Sequence, residues 1–79
     1  MSVKEQVVHI LKEVKPTKDL TDIEDIIEGG YLDSFELMSL IAQLGEVFEI
    51  EIDVDEIVPE NFNSVEAITA MVERLKETV

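Results

Sequence analysis

The sequence predicts an all-α protein: a small antiparallel bundle of three main helices plus one short helix, with a long first loop. Three observations predict it. Apolar residues recur at helical spacing in three separate stretches. Pro16, Gly29-Gly30 and Pro59 fall between those stretches, where a chain must turn. The chain has 79 residues and no cysteine, which suits one domain, residues 1–79, burying about 60% of the surface of its unfolded chain without disulfides or thiolate metal sites.

The first helix should start at Ser2, whose hydroxyl can cap it while Glu5 reaches back in a capping box. Val3, Val7, Ile10, Leu11 and Val14 fall on one narrow arc, and Pro16 prevents continuation, so the helix ends near Val14 or Lys15. His9 points away from that arc and is assigned to solvent, with no role. From Pro16 to Leu32 sustained periodicity is absent, yet Leu20, Ile23, Ile26 and Ile27 can pin the segment to a core. The expectation is a long packed loop with a short turn of helix around Thr21 to Ile26. Gly29-Gly30 frees the backbone to reverse just before a serine.

Asp33, with Glu36 three residues on, signals the start of the second helix and leaves Ser34 in its first turn. Leu37, Leu40, Ile41, Leu44, Val47 and Phe48 form its core face. On another side Phe35, Met38 and Ala42 lie beside Glu36, Ser39, Gln43 and Glu46, an apolar strip bordered by acids that suits docking. The competing reading folds Phe35 and Met38 over the long loop. Gly45 marks a close approach of another backbone.

Phe48 to Val54 alternates apolar and acidic residues as a strand would, but a lone strand has no partner here. Extended chain burying Ile50 or Ile52 is expected instead, then a short helix near Val54 to Val58 stopped by Pro59. Asn63 or Ser64 caps the last helix, with Glu66 placed for a capping box from Asn63. Val65, Ile68, Met71, Val72, Leu75 and Val79 line one of its faces.

The net charge is -13, and no Lys or Arg occurs between Lys18 and Arg74. Such a one-sign field repels phosphate backbones and anionic headgroups and speeds encounter with basic protein patches, so nucleic acid is excluded as a partner. It also serves solubility. Met1 to Gln6 lacks the apolar core of a signal peptide and no run could cross a bilayer, so a soluble, cytoplasmic monomer without membrane insertion is expected.

These residues do not support self-contained serine chemistry. A hydrolase needs a base and an orienting partner, but the single histidine lies on the outer face of the first helix and no Gly-x-Ser-x-Gly elbow is present. Asp53-Val54-Asp55 lacks the central glycine and closing carboxylate of an EF-hand. Paired carboxylates of the glycosidase kind need a cleft too large for this chain.

Gly30-Tyr31-Leu32-Asp33-Ser34-Phe35, the helix that follows, and Phe62-Asn63-Ser64-Val65-Glu66-Ala67-Ile68 resemble an acyl carrier protein, over nearly the whole chain. The resemblance implies that Ser34 is the attachment point for 4′-phosphopantetheine, added from coenzyme A by a separate phosphopantetheinyl transferase. A flexible arm ending in a thiol would supply the nucleophile this chain lacks and hold acyl or aminoacyl groups as thioesters. The chain would then be a carrier serving partner enzymes, not a catalyst, and would bind no metal of its own. Asp33 would cap the helix and help the transferase place its metal ion. Phe35, Glu36, Met38, Ser39, Ala42 and Glu46 would meet loading ligases or synthases through basic docking patches. Fatty-acid carriers usually have a leucine after the serine and an acid midway along this face, where Phe35 and Ser39 stand here. Leu32-Asp33-Ser34-Phe35 looks more like stand-alone carriers working beside an adenylate-forming ligase, such as D-alanyl or other aminoacyl carriers. Fatty-acid, polyketide and D-alanylation pathways stay open, and so does an acidic adaptor domain with no prosthetic group.

Overall fold

Ser2 begins the first helix as its side chain dictates. Its hydroxyl accepts the Glu5 N–H at 3.1 Å while Glu5 Oε1 accepts the Ser2 N–H at 3.0 Å, closing the capping box. The computed structural model describes residues 1–77, and α1 runs over Val3–Val14. Val7, Ile10 and Leu11 are buried, Val3 and Val14 pack at the margin, and His9 is exposed. Lys15 closes the helix by donating its N–H to the Leu11 carbonyl.

The first loop contains turns but no helix, so the expected helical turn at Thr21 to Ile26 does not form. Two causes are visible, one local and one long-range. Asp19 Oδ1 accepts the Thr21 N–H at 2.9 Å, an Asx turn that competes with helix initiation, and hydrogen bonding from the Thr21 side chain, then from this N–H, holds the Asp19 carboxyl below its ordinary value. The amides of Ile26, Ile27 and Glu28 are bonded across the bundle to Asn63 instead of back along the chain. Leu20, Ile26 and Leu32 are the buried plugs that hold this loop to the core, with Ile23 and Ile27 packed beside them.

Helix α2 spans Ser34–Phe48 and buries Leu40, Leu44 and Phe48, a row at i, i+4 and i+8. Leu37 and Ile41 flank that row, whereas Val47, assigned to the core from the sequence, is 48% exposed at the edge of the arc. The helix ends on Glu49 in the left-handed region, φ 54° and ψ 48°, and the N–H groups of Glu49 and Ile50 both donate to the Gly45 carbonyl. A Cβ at Gly45 would lie 3.2 Å from the Ile50 carbonyl oxygen, the close backbone approach that glycine permits.

Residues 50–53 are extended, and no strand occurs among the described residues. Ile50 and Ile52 both pack against the core. A single 3-10 turn covers Val54–Glu56, and α3 spans Pro59–Phe62. Pro59 therefore opens a helix where it was expected to stop one. Its missing N–H is one of the groups a first turn leaves unpaired, so the ring suits that position. Phe62 from α3 is buried.

Helix α4 spans Val65–Glu77 and buries Val65, Ile68, Met71 and Val72, with Leu75 at the margin; Val79 lies outside the described residues. Ser64 caps it, its Oγ accepting the Ala67 N–H at 3.0 Å. The expected capping box from Asn63 to Glu66 does not form, because Asn63 turns to the first loop and Glu66 pairs with Lys4 at 3.3 Å. Helix α1 lies against both α4 and α2, and α3 packs on α4. Leu40 and Leu44 are fully buried where these helices meet, and truncating either to Ala should cost about 2–5 kcal/mol.

Candidate functional site

Asp33 adopts extended backbone, φ -84° and ψ 178°, and its Oδ1 accepts the Glu36 N–H at 2.7 Å. Glu36 Oε1 accepts the Asp33 N–H at 3.0 Å, so the two acids close a capping box around the start of α2. Ser34 is the first helical residue within that box and is exposed. Its hydroxyl makes no hydrogen bond to any of the described residues, and neither do the N–H groups of Ser34 and Phe35. These two amides lie at the positive end of a helix of four turns.

The remaining predicted residues divide into two groups. Phe35 is 86% exposed and Met38 63% exposed, so they form an open strip and do not fold over the loop. Ala42, Ser39 and Glu46 are exposed on the same helix, with Ser39 Oγ accepting from Gln43 Nε2 at 3.2 Å. Glu36 is different. Lys15 Nζ donates to both of its carboxylate oxygens at 3.3 and 3.2 Å, and its side chain keeps 25% of its accessibility. It is an internal tie more than an open rim acid.

Sequence reasoning missed Lys15, Asn63 and Val54. The first two act through contacts between distant segments, which no local pattern announces. Val54, 82% exposed on the 3-10 turn, reads from the sequence only as the end of an alternating run and the start of a short helix, and neither pattern announces its exposure. The cations are segregated: Lys4 and Lys12 on α1, Lys15 and Lys18 at the start of the loop, Arg74 and Lys76 at the end of α4. The exposed side of α2 carries none. Among the described residues no group of His, Cys, Asp or Glu is arranged to hold a metal, and no helix is long and apolar enough to cross a membrane.

The family model described as the phosphopantetheine attachment site matches residues 2–72. Among curated relatives, the D-alanyl carrier protein of Streptococcus uberis is 36% identical over 61 residues, 75% of this chain and 77% of that protein. The D-alanyl carrier protein of Streptococcus sanguinis is 31% identical over 78 residues, 96% of this chain and 98% of that one. That of Streptococcus thermophilus is 32% identical over the same extent. A small helical bundle with these matches is a carrier domain, a non-catalytic protein that serves partner enzymes such as transferases and ligases. The chain belongs to the phosphopantetheine attachment site family, and the group such a domain carries is 4′-phosphopantetheine.

Proposed function

We propose that the chain, one carrier domain over residues 1–79, is modified on Ser34 with 4′-phosphopantetheine and carries a small aminoacyl group, D-alanine being the first to test. The observation that carries this reading is the exposed Ser34 hydroxyl, free of hydrogen bonds, at the first position of α2 directly after the Asp33 cap. When attached, the arm supplies a thiol that holds the cargo as a thioester. The protein's own residues do the rest. Asp33 and Glu36 fix the helix start so that the hydroxyl is offered to a transferase in one place. Phe35, Met38 and Ala42 offer apolar contact, and Ser39 and Glu46 lie beside them on a helix with no cation, a face suited to partners with basic patches. Brief delivery favours fast, salt-sensitive encounter over tight binding, which the charge of -13 promotes. Phe35 and Ser39, together with the D-alanyl relatives, favour an aminoacyl cargo over a fatty acyl one. The reading has the chain act in the cytoplasm beside an adenylate-forming ligase.

Intact mass after incubation with coenzyme A, magnesium and a broad-specificity phosphopantetheinyl transferase tests the reading. A gain of one phosphopantetheine on the parent, and none on Ser34→Ala, is expected. No gain on a folded, unmodified parent with several transferases would make the chain an acidic adaptor instead. With the modified protein, ATP, D-alanine and an adenylating ligase should then add one alanyl group that hydroxylamine removes.

A further inference from the structure

We infer that Asn63 is a positioning residue for Ser34, latching the loop from which the serine is presented; the inference rests on the reading of Ser34 given above. Asn63 lies between α3 and α4, yet it gathers three consecutive amides of the first loop. Its main-chain carbonyl accepts the Ile26 N–H at 2.9 Å. Its Oδ1 accepts the N–H groups of Ile27 at 3.0 Å and Glu28 at 3.2 Å, and its Nδ2 donates to Glu28 Oε1 at 3.0 Å. A carboxamide suits this set of partners, because one oxygen with two lone pairs serves two amides while the NH₂ group meets a carboxylate.

The latched stretch closes on itself immediately afterwards. Gly30 donates its N–H to the Ile27 carbonyl at 3.1 Å and Tyr31 to the Ile26 carbonyl at 3.0 Å. The peptide units that Asn63 grips are therefore the ones that fold the chain back toward Leu32, Asp33 and Ser34. Leu32 is buried directly after the turn, so an error in the turn passes through a short, pinned segment to the capping box. Ile26 is itself fully buried, which anchors the segment whether or not the latch holds. Loss of the Asn63 side chain should accordingly loosen the turn locally while leaving the helices packed.

Two readouts on the full chain separate positioning from general stability. Amide exchange on Asn63→Ala should accelerate at Ile27, Glu28, Gly30 and Tyr31, with the protected amides of α1 and α4 unchanged. Transfer of phosphopantetheine from coenzyme A should lose on the order of tenfold in kcat at unchanged KM, because the docking strip is intact while the hydroxyl is misplaced. Asn63→Asp with Glu28→Gln reverses donor and acceptor in the side-chain bond, keeps an oxygen for the two amides, and should restore kcat. Normal kcat in Asn63→Ala, or exchange that accelerates uniformly through α1 and α4, would overturn the role of Asn63. A folded parent that accepts no phosphopantetheine, or a Ser34→Ala variant that accepts it as the parent does, would instead overturn the reading of Ser34 itself, whereas a parent that is loaded normally beside a slow Asn63→Ala bears on Asn63 alone.

Discussion

Lys15 and Glu36 join the end of α1 to the first turn of α2, the ammonium lying 3.3 and 3.2 Å from the two carboxylate oxygens. Both side chains are about three-quarters shielded, at 28% and 25% of full accessibility, so the pair is less screened than an open surface contact. Glu36 also holds the Asp33 N–H. One carboxylate thus serves the helix cap and the junction between two helices.

A double-mutant cycle on Lys15→Met and Glu36→Gln should show favourable coupling of about 0.5–1 kcal/mol in urea unfolding, shrinking as salt is raised. Coupling indistinguishable from zero would reduce the pair to a surface contact of no consequence.

Asp33→Ala should destabilise the protein by about 1 kcal/mol, since it removes the acceptor for the Glu36 N–H. Ser34→Ala should abolish loading yet change stability by less than about 0.5 kcal/mol, since its hydroxyl holds nothing in place. Thermal denaturation and intact mass on the same two samples check both statements.

Met38→Lys should leave stability within about 0.5 kcal/mol of the parent, because the side chain is already 63% exposed. It should nevertheless lower kcat/KM with a partner ligase, by placing a cation in the apolar strip. Substantial unfolding of this variant would mean that Met38 contributes to the core after all.

The adjacent glycines should fail for different reasons when replaced by Ala. At Gly29 a Cβ would fall 2.7 Å from both the Asp25 carbonyl oxygen and the Tyr31 ring, and overpacking of this kind costs about 1–3 kcal/mol. At Gly30 a Cβ meets nothing within 4 Å, but φ is +75°, so the expected cost of about 1–2 kcal/mol is conformational. Gly30→Asn, which tolerates that region, should recover part of the loss, whereas Gly29→Asn should not.

Acid should loosen the segment after α2 through Glu56. Hydrogen bonding from Arg74, at 2.8 and 2.9 Å, lowers the Glu56 carboxyl below its ordinary 4.5 against opposing desolvation, with the Arg74 charge and Asn61 assisting. A lowered folded value means that this stabilisation is complete above the unfolded value and disappears as pH falls through the folded one. Arg74→Met should flatten the part of the stability profile below about pH 4.5 that Glu56 contributes, read from urea midpoints across pH.

What could be read without coordinates was what the chain encodes over three or four residues. Ser2 with Glu5 and Asp33 with Glu36 are such patterns: the capping box expected at Ser2 forms, and Asp33 caps α2 as expected, with Glu36 closing a box around it that had not been expected. The three long helices follow from apolar spacing for the same reason. Pro59 misled because its fixed φ is compatible with ending one helix and with starting another. Asn63 misled because a cap residue and a latch share the same chemistry, and only the arrival of Ile27 and Glu28 from the first loop decides between them. The exposure of Phe35 and Met38 agrees with the strip drawn from helical projection, whereas only the path of that loop excludes the competing reading.

The segregation of cations has a practical side. Every lysine lies on α1, at the start of the first loop or at the end of α4, and Lys15 is occupied by Glu36. Lysine-directed dyes, cross-linkers or immobilisation chemistry will therefore leave α2 and the segment after it bare. A molecule anchored through Lys76, which lies over Phe48 at the far end of α2, keeps its serine clear, so encounters with enzymes can be watched on a tethered sample without labelling the surface that receives them.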